Sequence, residues 1–151
     1  MKSCYRELIA IDVDAKDYEE AIRKVGSLLY KNNFVKNTYI DAVIAREKDF
    51  PTGLNLDGIS IAMPHTSGIH VNVPAVCIAK LAHPVRFAHM GMPEIPVDAE
   101  MLFMMAIKNP DEQVEALQNV MGVFTNKEAV RELKAAKTED ELFAAAQKYI
   151  G

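Results

Sequence analysis

The chain has 151 residues, half of them hydrophobic and a quarter charged, the balance of an ordinary globular domain with room for a real core. A net charge of −4 with no basic block argues against nucleic acid or an anionic membrane as partner. The longest apolar run, Met101 to Ile107, is too short to cross a bilayer, so no direct membrane insertion is expected. The start, MKSCYRELIAIDVD, sets acids soon after its apolar residues and offers no small-residue cleavage site, so no signal peptide is expected. Cys4 and Cys77 make no CxxC motif or disulfide framework, which fits a reducing cytoplasm. No repeat or linker divides the chain, and one domain over residues 1–151 is expected.

A β-rich run, Leu8 to Asp14, comes first. From Asp17, the spacing of Tyr18, Ala21, Ile22, Val25, Leu28 and Leu29 predicts a helix with one apolar stripe. A second helix follows in NTYIDAVIAREKDF, with Thr38 as its cap and Ile40, Val43 and Ile44 inward. PTGLNLDG, with a proline and two glycines, breaks it. Ile59 to Met63, Ala75 to Leu81 and Met101 to Ile107 are predicted strands, the last apolar on both faces and therefore central. The proline-rich AHMGMPEIPVDAE between the last two reads as a long loop. The remainder is helical. Asn109 caps a helix that has Pro110 at its first position, and Val114, Leu117, Met121 and Phe124 form its expected buried stripe. A short helix covers about Lys127 to Ala136. Thr138 to Glu141 is a capping box for the last helix, with Leu142, Ala145, Ala146 and Tyr149 inward. Strands with helices before and after them predict an α/β fold, a three-layer α/β/α domain with a mixed central sheet.

The chemistry concentrates at GISIAMPHTSGIH. Proline cannot continue a central strand, so the chain leaves the sheet at Pro64 and presents His65 at its edge. A neutral imidazole there is a base, a metal ligand or a nucleophile, and a loop histidine without a role is the alternative. His70 follows five residues later, but a Gly-containing loop with no HExxH or Cys/His pairing gives little support to a metal-binding reading. No metal or cofactor is expected. His83 and His89 read as surface-turn residues, Cys77 as a small core residue, and Cys4 as part of a mobile terminus. Arg46, at a helix end beside Glu47, is either a solvated charge or an anion contact. Gln113 sits in a first helical turn, where free N–H groups favour an anion; the alternative is an exposed polar residue beside a cap.

Taken together, AREKDFPTGLNLDGISIAMPHT, then VRF, then FMMAIKNPDEQVEAL, resemble the enzyme IIA domain of the fructose/mannitol class of the bacterial sugar phosphotransferase system. FPTG after ARE, and NP followed by Gln113, are most similar to its galactitol-type subgroup. The resemblance runs from about Leu8 to Tyr149. It implies a mixed sheet between helices and a relay. His65 takes a phosphoryl group on Nε2 from phospho-HPr and gives it to a cysteine of a cognate enzyme IIB, which serves the membrane component IIC. It implies that Arg46 stabilises the phosphate, that Thr66 offers its N–H and hydroxyl, and that His70 flanks the site. Gln113 stands where many mannitol- and fructose-type members carry a second histidine. It can donate a hydrogen bond but cannot carry a proton or a positive charge. Met63, Met90 and Met92 are read as a repackable docking surface, with core packing as the alternative. A nitrogen-type regulatory IIA protein is the alternative, since no IIB-like, DNA-binding or membrane segment lies within these residues.

Overall fold

The computed structural model describes residues 4–150; Gly151 and Met1–Ser3, the first residues of the start inspected for a leader, lie outside them. In chain order the elements are β1 (Cys4–Val13), α1 (Tyr18–Lys31), α2 (Tyr39–Asp49), β2 (Gly53–Leu56), β3 (Ile59–Ala62), a 3-10 turn (Gly68–His70), β4 (Ala75–His89), β5 (Met92–Ala106), α3 (Pro110–Val123), α4 (Lys127–Ala135) and α5 (Glu139–Tyr149).

β4 and β5 form the spine of a mixed five-stranded sheet. They pair antiparallel in two runs, one from Ala75 opposite Ala106 to Lys80 opposite Met101, the other from Val85 opposite Ala99 to His89 opposite Met92. β1 adds to β4 in parallel, with Ile9 opposite Ile78. β3 adds to β5 in parallel, with Ile61 opposite Met101, and β2 pairs antiparallel with β3. Gly53 of β2 also meets His89 at the far end of β4.

Alternation along β5 splits the core into two halves. Met101, Phe103 and Met105 pack with residues of α3, α4 and α5, whereas Leu102, Met104 and Ala106 pack with residues of α1 and α2. All six are buried, which is why this strand reads as an unbroken apolar run. The fold is the three-layer α/β/α arrangement that the order of elements implies. Local signals end the helices where expected: Asn109 accepts from the Asp111 N–H at 3.0 Å with Pro110 opening α3, and Thr138 and Glu141 form a reciprocal capping box on α5.

Several expectations are corrected. The proline-rich stretch after Leu81 is not a loop: β4 and β5 are 15 residues each and turn tightly through Met90 and Gly91, where Gly91 takes φ +75°. Pro93 and Pro96 are tolerated because no strand pairs with the outer side of Met92–Ala99 among the described residues. His83 and His89 therefore lie on β4, His83 within the irregularity between Lys80 and Val85. PTGLNLDG contains β2, whose hairpin to β3 turns at Asp57 and Gly58. β1 begins at Cys4, which is buried rather than mobile. The stripe of α3 is rotated from the expected one: Val120 and Val123 are buried, while Val114 is 55 % and Met121 39 % exposed. Gln113, Ala116, Leu117, Val120 and Phe124 form the continuous facing row, at helical spacing.

Candidate functional site

β3 delivers the chain to the site under tight backbone control. The Met63 N–H donates to Thr52 Oγ1 at 3.1 Å, and the Pro64 carbonyl accepts from the Met105 N–H of β5 at 3.0 Å. A few residues on, Gly68 passes so close to the β5–α3 junction that a Cβ there would lie 1.9 Å from the Lys108 carbonyl oxygen. Only glycine fits that contact. The segment between these anchors carries His65.

At the sheet edge where the sequence places it, His65 is buried rather than presented to solvent, only 5 % exposed. Its Nδ1 lies 2.7 Å from the Met63 carbonyl oxygen. A carbonyl only accepts, so Nδ1 holds the hydrogen and the lone pair of the neutral ring is on Nε2. Among the described residues Nε2 has no hydrogen-bond partner, and no fully buried side-chain nitrogen or oxygen is left without one. Nε2 is therefore not fully sealed from solvent. Burial pushes the His65 pKa below 6.5, the Met63 bond opposes that, and the Arg46 charge adds to the depression. The result is an imidazole kept neutral and nucleophilic at one chosen nitrogen.

A cavity of about 350 Å³ opens beside the ring, lined by Arg46, Phe50, Thr52, His65, Met90 and Leu117 among others. Arg46 is half-buried on the last turn of α2, with its guanidinium carbon 5.2 Å from the Phe50 ring centroid. Thr66 is buried next to the histidine, and neither its N–H nor its hydroxyl has a partner among the described residues. Gln113 is half-buried and one turn before Leu117 on the same face of α3; it does not itself line the cavity. His70 is held elsewhere, its Nδ1 2.7 Å from Thr38 Oγ1, and it does not line the cavity either. That contact occupies the Thr38 side chain, which makes no capping bond to α2. Met90 and the 44 %-exposed Met92 stand at or near the cavity, but Met63 is fully buried and is no part of an outer surface. Among the described residues no group of three or more His, Cys, Asp or Glu side chains is arranged to hold a metal ion.

The chain matches the family described as phosphoenolpyruvate-dependent sugar phosphotransferase system, EIIA 2, over residues 3–149. It belongs to that family. Its class of chemistry is accordingly that of a phosphotransferase component of the sugar phosphotransferase system. The galactitol-specific EIIA component of Escherichia coli K12 is 27 % identical over 117 residues, covering 78 % of this chain and 77 % of the relative. Among solved structures, the complex of the E. coli mannitol enzyme IIA with phosphorylated enzyme IIB superposes with a TM-score of 0.77 at 24 % identity, over 94 % of this chain and 95 % of that one. The nitrogen regulatory protein IIA-Ntr of Neisseria meningitidis superposes at 0.75 with 21 % identity, over 93 % and 94 %. At these identities the structural likeness speaks for the fold.

Glu47 of this EIIA chain escaped the sequence reading. It is 5 % exposed, its two carboxyl oxygens accept from the Thr52 N–H and the Thr52 hydroxyl, both at 2.8 Å, and burial raises its pKa from 4.5 to about 7. A signal was present: Tyr39, Val43 and Glu47 recur every fourth residue and are the buried residues of α2. The Met63 carbonyl, by contrast, leaves no trace in the sequence.

Proposed function

We propose that His65 is the phosphoryl acceptor of this EIIA chain, and that it relays the group from phospho-HPr to a cysteine of a cognate enzyme IIB and so to a membrane component IIC. The observation that carries this reading is the division of labour on one imidazole: Nδ1 donates to the Met63 carbonyl, which leaves the lone pair on Nε2, and the same ring lines a cavity shared with Arg46. In the first step the Nε2 lone pair attacks phosphorus, the phosphorus–nitrogen bond to the donor histidine breaks, and the hydrogen on Nδ1 stays in place. The ring gains positive character as the new bond forms, and the Met63 carbonyl stabilises it. In the second step a cysteine sulfur of IIB attacks the same phosphorus and Nε2 leaves with its electron pair.

Such transfers pass through a loose transition state with charge on the equatorial oxygens, so positioning and cationic or N–H donors supply most of the catalysis. Arg46 is the cation in reach, and Thr66 supplies a free N–H and hydroxyl. Gln113 contributes a neutral hydrogen bond from the α3 side, and His70 acts indirectly through the loop. A hexitol such as galactitol is the favoured cargo of the assembled system, on the strength of the galactitol-specific relative and the Gln113 motif. No sugar binds this chain itself. Among the described residues no helix is long and apolar enough to cross a membrane, which suits a partner working at the cytoplasmic face. The regulatory reading has the IIA-Ntr likeness in its favour; genomic neighbours encoding IIB and IIC separate the two.

The test is incubation with enzyme I, HPr and labelled phosphoenolpyruvate, followed by mapping of the label. Acid-labile, alkali-stable label on His65 is expected, and none in His65→Gln. Undiminished labelling of that variant would end the proposal.

A further inference from the structure

We infer that Glu47 is a positioning residue for His65, acting through the Thr52 side chain and the Met63 backbone. The link is continuous and each step has a defined polarity. The Thr52 hydroxyl donates to Glu47 Oε1 at 2.8 Å. Its oxygen then accepts from the Met63 N–H at 3.1 Å, the shorter arm of a bond shared with the Thr52 carbonyl at 3.4 Å. The Met63 carbonyl, on the other side of the same residue, accepts from His65 Nδ1 at 2.7 Å. A hydroxyl has one hydrogen, so Glu47 decides where the Thr52 hydrogen points and leaves the oxygen lone pairs facing Met63. With that residue held at both ends, the carbonyl is presented to the imidazole at a fixed angle.

Holding the Thr52 turn alone does not need this arrangement, because the Thr52 N–H bond to Oε2 already closes it. The second oxygen goes to the hydroxyl that faces β3. Burying a carboxyl is expensive, and this one is kept on the inward face of α2 one residue after Arg46. The same helix end thus supplies the cation from one residue and the orienting acceptor from the next. This inference rests on His65 being the acceptor, but it concerns the ring itself and is read without any phosphoryl donor.

The experiment compares the wild-type chain with Thr52→Val, Thr52→Ser and Glu47→Gln. Imidazole nitrogen-15 NMR reports the His65 tautomer, and rapid-quench transfer from phospho-HPr separates kcat from KM. Wild type is expected to show the hydrogen on Nδ1 alone. Thr52→Val keeps the backbone bond to Glu47 but removes the hydroxyl relay. It is expected to mix the tautomers and lower kcat roughly 10- to 100-fold with KM little changed. Thr52→Ser should restore both readouts, and Glu47→Gln should behave like Thr52→Val where it folds. An unmoved tautomer in folded Thr52→Val overturns the inference, whether or not the rate falls. Labelling that survives in His65→Gln instead overturns the relay reading and leaves the tautomer result standing.

Discussion

His65 and His70 stand five residues apart, and each sets Nδ1 2.7 Å from an oxygen, yet the two oxygens differ in kind. His65 meets the Met63 carbonyl, which only accepts, and its tautomer is fixed. His70 meets the Thr38 hydroxyl, which donates or accepts, and either tautomer satisfies the pair. The surroundings differ in the same sense. The first ring is buried at the end of a strand, with a cation across a cavity; the second is half-buried in a 3-10 turn whose backbone ties Lys36 to the loop. On the proposed relay reading, a reactive histidine is set apart by what its other nitrogen is bound to, and exposure is a poor guide to it. Cavity size is no better guide, since a larger concavity, about 780 Å³ between the β2–β3 turn and the α3–α4 corner, shares no lining residue with the His65 pocket.

The sharpest way to break this contrast is to exchange the two rings for amides. His65→Gln should abolish acid-labile labelling, while His70→Gln should keep labelling and lose only part of the transfer rate; equal losses, read by the same labelling assay, would erase the distinction. The next largest effect is expected at Arg46. Arg46→Ala removes a charge-assisted contact to the transferring group, a loss of about 2–4 kcal/mol, or roughly 30- to 1,000-fold in rate. Arg46→Lys should recover only part, because a point charge lacks the bidentate fork. Rapid-quench kinetics with circular dichroism distinguishes this from a folding defect, and an unchanged rate would make Arg46 a surface charge.

The neighbouring carboxyl makes the region of the first histidine sensitive to pH. The Glu47 pKa is higher in the folded than in the unfolded chain, about 7 against 4.5, so the folded state binds more protons between those values. Stability from this group is therefore present at low pH and lost as pH rises from about 4.5 through 7, by about 3 kcal/mol. The depressed His65 pKa acts oppositely, with stability present above about 6.5 and lost as pH falls toward its folded value. Urea unfolding across this range should show Glu47→Gln lacking the decline toward neutral pH; parallel curves for variant and wild type would contradict the assignment. The smallest effect is expected at Gln113. Gln113→Ala should slow transfer less than Arg46→Ala, since neutral hydrogen bonds are weaker than charged ones. Gln113→Glu should be slower than Gln113→Ala, and equal rates for Glu and Gln would show that this side chain faces away from the phosphate.

Much of the layout was legible in the residues. The helix caps at Asn109 and Thr138 are local chemistry, and both form as the sequence indicates. Pro64 marked the strand end beside its histidine, since a proline stop needs no tertiary information. Other features depend on partners far along the chain. Pro93 and Pro96 are breakers in isolation and acceptable on the unpaired side of β5. Which row of α3 is buried depends on the sheet beneath, and polar Gln113 at its head disguised the row. Glu47 drew notice only as the charged neighbour of Arg46, although its spacing from Val43 placed it inward. The carbonyl that orients His65 belongs to the main chain, which every residue shares, and no side-chain pattern announces it.

Met105 ties two of these parts together through one residue. Its N–H donates to the Pro64 carbonyl, and its own carbonyl accepts from the Tyr39 hydroxyl at 2.6 Å. The histidine loop and the first residue of the arginine-bearing helix thus hang from a single point late in β5, 66 residues after Tyr39. A growing chain emerging from the ribosome has its histidine and arginine long before it has that anchor. On the proposed relay reading, competence to take a phosphoryl group therefore waits for β5 to pair beside β3, about 40 residues later in the chain, and nascent chains that lack β5 are expected to stay silent in the relay.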